Sequence, residues 1–230
     1  MAKYSNEILK DIINWDVKNW SVALNSWDKA LSHLPVGAHA LEIGAREGGL
    51  SLYLALKGCQ VICSDVENPQ ATAQVRHQSH NIQDQVSYAA ADATSLPFAD
   101  RQFDVVAYKS ILGTIGRNDQ PGQQLRAIGE IYRVLKPGGT LLFAENLAGT
   151  TVHRLFRKTT KWGGYWRYVT VDEMRRFHEQ FSDFEFGTFG FLAVFGRSEF
   201  QRGILHHVDK VIDPLLKDQH KYIIYGYARK

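Results

Sequence analysis

Three acids and a glycine turn are spaced for one kind of ligand chemistry. In "HALEIGAREGGLSLYLALKG", residues 39–58, an apolar run carries Glu42, turns through Gly44 and Gly48, and resumes with helical periodicity. A helix N-terminus behind glycines offers free N–H groups and lets a ligand touch backbone. The phosphate loop G-x-x-x-x-G-K-[S/T] is absent. A dinucleotide G-x-G-x-x-G would need a glycine where Arg46 stands. Glu42, two residues before Gly44, is expected to turn its carboxylate to the ligand mouth, where it repels a pyrophosphate and welcomes a cation. Asp65 and Asp92 close the next two apolar runs and bring further carboxylates to the same edge.

A second set of residues could handle an acceptor. Lys109 and Ser110 end a later apolar run, and Glu145 and Asn146 end the one after it. His153 follows within a few residues. Glu145, His153 and Lys109 are the candidate bases, since an imidazole titrates near neutral pH and a buried amine or carboxyl can be tuned there. His206 and His207 lack a third ligand, so no metal is expected. The stretch "HRLFRKTTKWGGYWRY", residues 153–168, interleaves Arg and Lys with aromatic rings. Arg154, Trp162, Trp166 and Tyr168 are expected to line an acceptor site together with Ser110 and Asn146. Such a surface suits a phosphorylated or anionic acceptor, and it suits a membrane interface equally.

The elements that must position these groups alternate. Strand-like runs at 39–43, 60–65, 86–92, 103–110 and 139–146 are separated by helical stretches, which predicts a parallel sheet covered on both faces. Residues 6–34 read as one or two amphipathic helices stopped by Pro35 and Gly37. After Asn146 come the basic aromatic insertion, a helix after Thr170, and two late β-like runs at 184–196 and 221–229. These predict an antiparallel pair at one sheet edge. The organisation expected is a single domain over 1–230: a helical cap (1–37), a ligand-binding half (38–146), and a lid-like insertion with edge strands (147–230).

The bulk numbers set the class. With 230 residues, 44% hydrophobic and 22% charged content, the chain suits a globular protein with a sizeable core. A formal net charge of +3 is too mild to announce nucleic acid, and none is expected as a partner. Two cysteines cannot make a disulfide scaffold, and no run reads as a signal peptide or membrane span, so a cytoplasmic location is expected.

Four segments in order, "LEIGAREGG", "QVICSD", "AADATSLPF" and "FDVVAYKS…EIYRVLKPGGTLLFAEN", resemble the motifs of class I S-adenosylmethionine-dependent methyltransferases from about Leu41 to Asn146. That resemblance implies a Rossmann-like α/β fold with a mostly parallel seven-stranded sheet and an antiparallel edge strand. It implies S-adenosyl-L-methionine as cofactor and S-adenosyl-L-homocysteine as product. Asp65 would take the ribose hydroxyls, and Asp92 with Ala93 would meet the adenine. Glu42, Gly44, Ala45, Arg46, Gly48, Val66 and Lys109 would complete the cofactor site. Arg46 departs from the family's middle glycine, and its side chain is expected to point outward or to meet the methionine carboxylate. No N/D-P-P-Y/F follows the fourth strand, which disfavours methylation of DNA bases or glutamine nitrogen. A narrower resemblance, to bacterial methyltransferases of surface-polysaccharide and O-antigen synthesis, implies O-methylation of a sugar, sugar nucleotide or glycan. The alternatives are a natural-product O- or N-methyltransferase and a cofactor-binding pseudoenzyme or assembly partner.

Overall fold

Backbone geometry breaks the N-terminal region into three helices where the pattern suggested one or two. In the computed structural model, which describes residues 4–160 and 163–230, these are α1 (Asn6–Ile13), α2 (Val17–Trp20) and α3 (Ala23–Ala30). Asn14 and Asp16 take left-handed conformations (φ 69 and 50), so the chain must turn and restart between α1 and α2. The alternating section follows as β1 (His39–Ile43), α4 (Gly49–Ala55), β2 (Gln60–Asp65), α5 (Gln70–Ser79) and β3 (Val86–Ala90). It continues with β4 (Phe103–Lys109), α6 (Leu112–Ile115), α7 (Pro121–Val134) and β5 (Leu135–Asn146). The last section holds α8 (Thr151–Lys158), α9 (Val171–Phe177), β6 (Asp183–Phe189), α10 (Glu199–Ile212) and β7 (Ile223–Arg229).

The strands form one sheet in the order β3-β2-β1-β4-β5-β7-β6. The first five run parallel, and β7 is antiparallel to both β5 and β6. Strand period two divides the interior into two cores. Val105 and Ala107 of β4 face one core with Trp20, Trp27 and Tyr53, while Val106 and Tyr108 face the other with Ile128, Ile131 and Phe143. Two boundaries depart from the sequence pattern. β5 begins at Leu135, before the Pro-Gly-Gly turn, because Leu135 already pairs with Phe103 ahead of a register shift. β6 stops at Phe189, because the buried Asp209 carboxylate accepts the Leu192 and Ala193 N–H groups that a longer strand would spend on a ladder. Among the described residues no helix is long and apolar enough to cross a membrane.

Candidate active site

Strand order reverses between β1 and β4, and in an open α/β sheet the crevice at that reversal is where ligands settle. The turn after β1 lies there. Gly44 has φ +70, and a Cβ would sit 2.4 Å from Ile111 Cγ2; Gly48 has φ +71, and a Cβ would sit 2.5 Å from His77 Nε2. Both positions therefore need glycine. Arg46 has φ 49, so the turn imposes a left-handed conformation on a residue with a side chain, which is exposed.

Glu42 corrects its expectation. The carboxylate is buried and turns under the turn, not out of it. Oε1 accepts the Leu50 N–H at 3.0 Å, and Oε2 accepts the Ser51 N–H at 2.7 Å and its hydroxyl at 2.6 Å. It thus satisfies amides at the start of α4 and fixes the loop, while burial raises its pKa to about 7. Ala45 is buried in the same turn, and its N–H donates to Ser64 O.

Asp65 stands at the C-terminal end of β2, half-buried. Its Oδ2 accepts the Arg46 N–H at 2.9 Å and its Oδ1 accepts the Val66 N–H at 2.7 Å. Each oxygen keeps a lone pair for a ligand hydroxyl. Val66 beside it is 71% exposed, an apolar platform at the rim of the crevice. Asp92 is exposed and folds its Oδ1 back onto the Thr94 N–H and hydroxyl, both at 2.8 Å, leaving Oδ2 outward; Ala93 is buried behind it.

The ends of β4 and β5 are tied together. Ser110, with φ 59, has its hydroxyl accepting from Asn146 Nδ2 at 2.6 Å. Glu145 is fully buried; its Oε2 accepts the Leu112 N–H at 2.7 Å and its Oε1 accepts the Asn146 N–H at 2.8 Å. Burial raises its pKa to about 7. Lys109 points to the helical cap. Its Nζ lies 4.5 Å from the Trp15 ring centre and 4.7 Å from that of Trp20. Desolvation there lowers its pKa to about 7, against the pull of Asp16, Glu145 and Glu42.

The insertion divides its residues between structure and site. His153 does not lie on an open loop. It is buried on α8, where Nδ1 accepts the Thr150 N–H at 3.0 Å and Nε2 lies 2.8 Å from Phe191 O. Its ring stacks on Phe195 and burial lowers its pKa, so neither nitrogen is free to act as a base. Arg167 is spent on Asp119, Gln124 and Glu173, and Arg157 is buried against the Leu147 carbonyl with its guanidinium 3.9 Å from the Tyr168 ring centre. Trp166 packs on Gly113 of α6 and lies 6.3 Å from Tyr168, so these two rings border the ends of β4 and β5. Arg154 is exposed on α8 and lines a cavity of about 430 Å³ with Thr150, Asp172 and His220, which Leu147 and Ala148 just past the end of β5 also line. Trp162 lies outside the described residues. His206 faces inward, its Nδ1 2.8 Å from Asn19 Oδ1.

Sequence reasoning missed the ring of residues around Lys109. Asp16 is buried and receives hydrogen bonds from Asn19 Nδ2 and the Tyr222 hydroxyl, which fixes the α1–α2 connection that carries Trp15. The signal was "NWDVKNW", an acid between tryptophans in an otherwise amphipathic run.

Together the crevice fits an adenosine-type ligand with a charged tail. Two glycines leave room for backbone contact at β1, carboxylate lone pairs await hydroxyls at β2, and an exposed apolar side chain waits beside them. Comparison with known proteins agrees. Residues 41–143 match the family model described as a methyltransferase domain. The chain is 31% identical over 109 residues to a demethylmenaquinone methyltransferase of Clavibacter sepedonicus, covering 47% of this chain and 41% of that protein. It is 33% identical over 121 residues to malonyl-[acyl-carrier protein] O-methyltransferase of Enterobacter lignolyticus, covering 51% and 43%. The chain thus spans less than half the length of these two curated relatives. A solved structure of phosphoethanolamine N-methyltransferase 2 from Haemonchus contortus, with phosphomonomethylethanolamine and S-adenosylhomocysteine, shares the fold at a TM-score of 0.67 and 19% identity, covering 100% of this chain and 58% of that one.

Proposed function

We infer the reaction from one premise: this chain carries a class I S-adenosylmethionine-dependent methyltransferase domain over residues 41–143. It transfers the methyl group of S-adenosylmethionine to a small acceptor held over the ends of β4 and β5. The observation that carries this reading is the cradle at Gly44 and Gly48 beside the Asp65 carboxylate, whose remaining lone pairs suit a ribose diol. Asp92 Oδ2 then receives the adenine amino group, with Val66 and Ala93 against the ring. The cofactor supplies an electrophilic methyl on a sulfonium, and the chain's task is alignment.

The sheet order gives the ligand a direction. With ribose at β2 and adenine toward β3, the amino-acid end runs across β1 toward β4. Lys109 is the cation waiting there, held by two indoles. We assign its ammonium to the methionine carboxylate, with exposed Arg46 on the outer side. Ser110, Asn146, Trp166 and Tyr168 border the acceptor.

The acceptor brings its own reactivity. His153 has both ring nitrogens engaged, and Glu145 is sealed in the core by backbone amides. Glu145 therefore acts as a positioning group that holds the Leu112 amide and, through Asn146, the Ser110 hydroxyl. A carboxylate or thiolate is already ionised and an amine can shed its proton to water before it binds, so these need less help from a protein base than a sugar hydroxyl does. On that ground we put ionised or amine acceptors ahead of the glycan expected from the narrower resemblance. The relatives named for O-methylation of a malonyl group and N-methylation of phosphoethanolamine fit that class. The test is calorimetry with S-adenosylhomocysteine, then labelled methyl transfer to amines, carboxylates, phenols and sugar nucleotides. Binding with transfer to the first two classes supports the reading, transfer to sugars alone restores the glycan, and absent binding refutes the premise.

A further inference from the structure

Helix α10 leaves a stripe of large apolar side chains in water. Phe200, Ile204, Val208, Val211 and Leu215 recur at spacings of three and four along α10 and the turn after it, and are 77%, 52%, 42%, 74% and 84% exposed. That period puts them on one face. The opposite face is fully committed: His206 reaches Asn19, and Asp209 holds the Leu192 and Ala193 amides. Helix α8 extends the same surface, because Phe156 packs on Phe195 just ahead of α10 and Arg197 lies over the Phe156 ring. Its outer residues Val152 and Leu155 are 58% and 59% exposed. Large apolar side chains gathered on one helix face, unlike ones scattered singly, mark an interaction surface.

The charges around the stripe are sorted by sign. Arg154, Lys158, Arg197, Lys210 and Lys217 are exposed, and among the described residues none of them has a carboxylate within ion-pair distance. Three of the acids nearby are engaged elsewhere. Glu199 holds the Asp16 and Val17 amides and pairs with Arg202; Asp213 pairs with Lys221; Asp218 accepts from the Thr188 hydroxyl. We propose that α10 and the outer face of α8 form an interfacial surface that docks this chain peripherally on an anionic phospholipid bilayer.

Apolar side chains enter the boundary between headgroups and acyl chains while flanking cations meet lipid phosphates. A second copy of the chain fits this surface poorly. A two-fold contact would bring the five cations against their own copies, with Asp172 and Asp218 the nearby acids that, among the described residues, no cation already pairs. Part of the insertion expected to meet a membrane, Arg154, Leu155 and Lys158 of α8, lies on this surface, and α10 is added to it. Arg157 and Arg167 of that insertion are tied inward, and the free cations lie along α8 and α10.

The test is sedimentation of the full chain with phosphatidylcholine vesicles, with and without phosphatidylglycerol. Binding is expected to be at least roughly tenfold tighter to the anionic vesicles and to weaken with salt. The Phe200→Glu/Val211→Glu double variant should lose vesicle binding while keeping its unfolding temperature. Lys210→Glu should weaken binding by roughly fivefold or more, about 1 kcal/mol per cation. Equal sedimentation of wild type and double variant overturns the proposal, as does the absence of binding to either vesicle. A concentration-dependent dimer that the double variant abolishes, without vesicle binding, assigns the surface to a second copy. None of these outcomes depends on the methyl-transfer reading.

Discussion

Replacing Lys109 with methionine tests the direction assigned to the cofactor. The substitution keeps length and apolar contact with Trp15 and Trp20 but removes the ammonium. Two ligands separate its effects: S-adenosylhomocysteine, which carries the carboxylate, and 5′-methylthioadenosine, which does not. Loss of one partner from a desolvated charge pair costs about 2–3 kcal/mol, a roughly 30- to 150-fold loss of affinity. We expect that loss for S-adenosylhomocysteine at pH 6 and little change for 5′-methylthioadenosine. The pH profile follows from the pKa near 7. A carboxylate stabilises the ammonium and raises its pKa on binding, so affinity is flat below about pH 7 and falls above it. Between pH 6 and 8 the fall is about tenfold, and calorimetry in buffers of different ionisation enthalpy should register proton uptake at pH 8. Glu42 and Glu145 titrate in the same window, but they act on both ligands alike, and the shorter one is their control. Lys109→Arg should retain tight binding and lose the pH dependence. If the methionine variant binds both ligands as wild type does, or weakens them equally, the assignment of this end of the crevice is wrong.

Asp65→Ala should weaken both ligands by about tenfold to hundredfold, since two hydrogen bonds to a charged group are removed, as titration calorimetry would show. His153→Ala should lower stability by about 2–4 kcal/mol through the cavity and the orphaned Phe191 carbonyl and Thr150 amide, with turnover per folded molecule unchanged at saturation; a loss of turnover without a loss of stability would restore it as a base. Glu42→Gln should flatten the pH dependence of stability. The folded-state pKa of Glu42 is raised from 4.5 to about 7, so the native state holds the extra proton between those values and wild-type stability falls as pH rises through them. The full span is worth about 3 kcal/mol, an upper bound because the start of α4 favours the ionised form. Urea unfolding at pH 5 and pH 8 should show the two proteins close at pH 5 and the wild type falling behind the variant at pH 8; parallel profiles would count against a charge buried at this cost.

What the sequence made legible follows from how locally each feature is determined. Strand period, glycine turns and acids at strand ends are short-range patterns, and they placed β1 to β5, the Gly44 turn and Asp65 where the structure has them. The fate of a side chain is a long-range matter. His153 looked available because its partner Phe191 is thirty-eight residues away. Glu42 looked outward because nothing local reveals that the Leu50 and Ser51 amides would claim it. The antiparallel β7 was legible as a late β-like run, but its place inside β6 needs the pairing of both strands.

Net charge says little about the surface for a related reason. A formal +3 in 230 residues reads as electrostatically bland. That sum counts an aspartate buried beneath Tyr222 and a lysine on the outside of α10 as cancelling, although only the lysine is presented to a partner. Acids in this chain are drawn inward repeatedly: Asp16, Glu42, Glu145 and Asp209 are all buried on hydrogen-bond donors. Each acid withdrawn leaves a surface cation without its opposite, and along α8 and α10 the surplus collects beside exposed apolar residues. The charge that a membrane meets is therefore set by which acids the fold sequesters, and that is decided by tertiary contacts such as Asp209 to Leu192, not by composition.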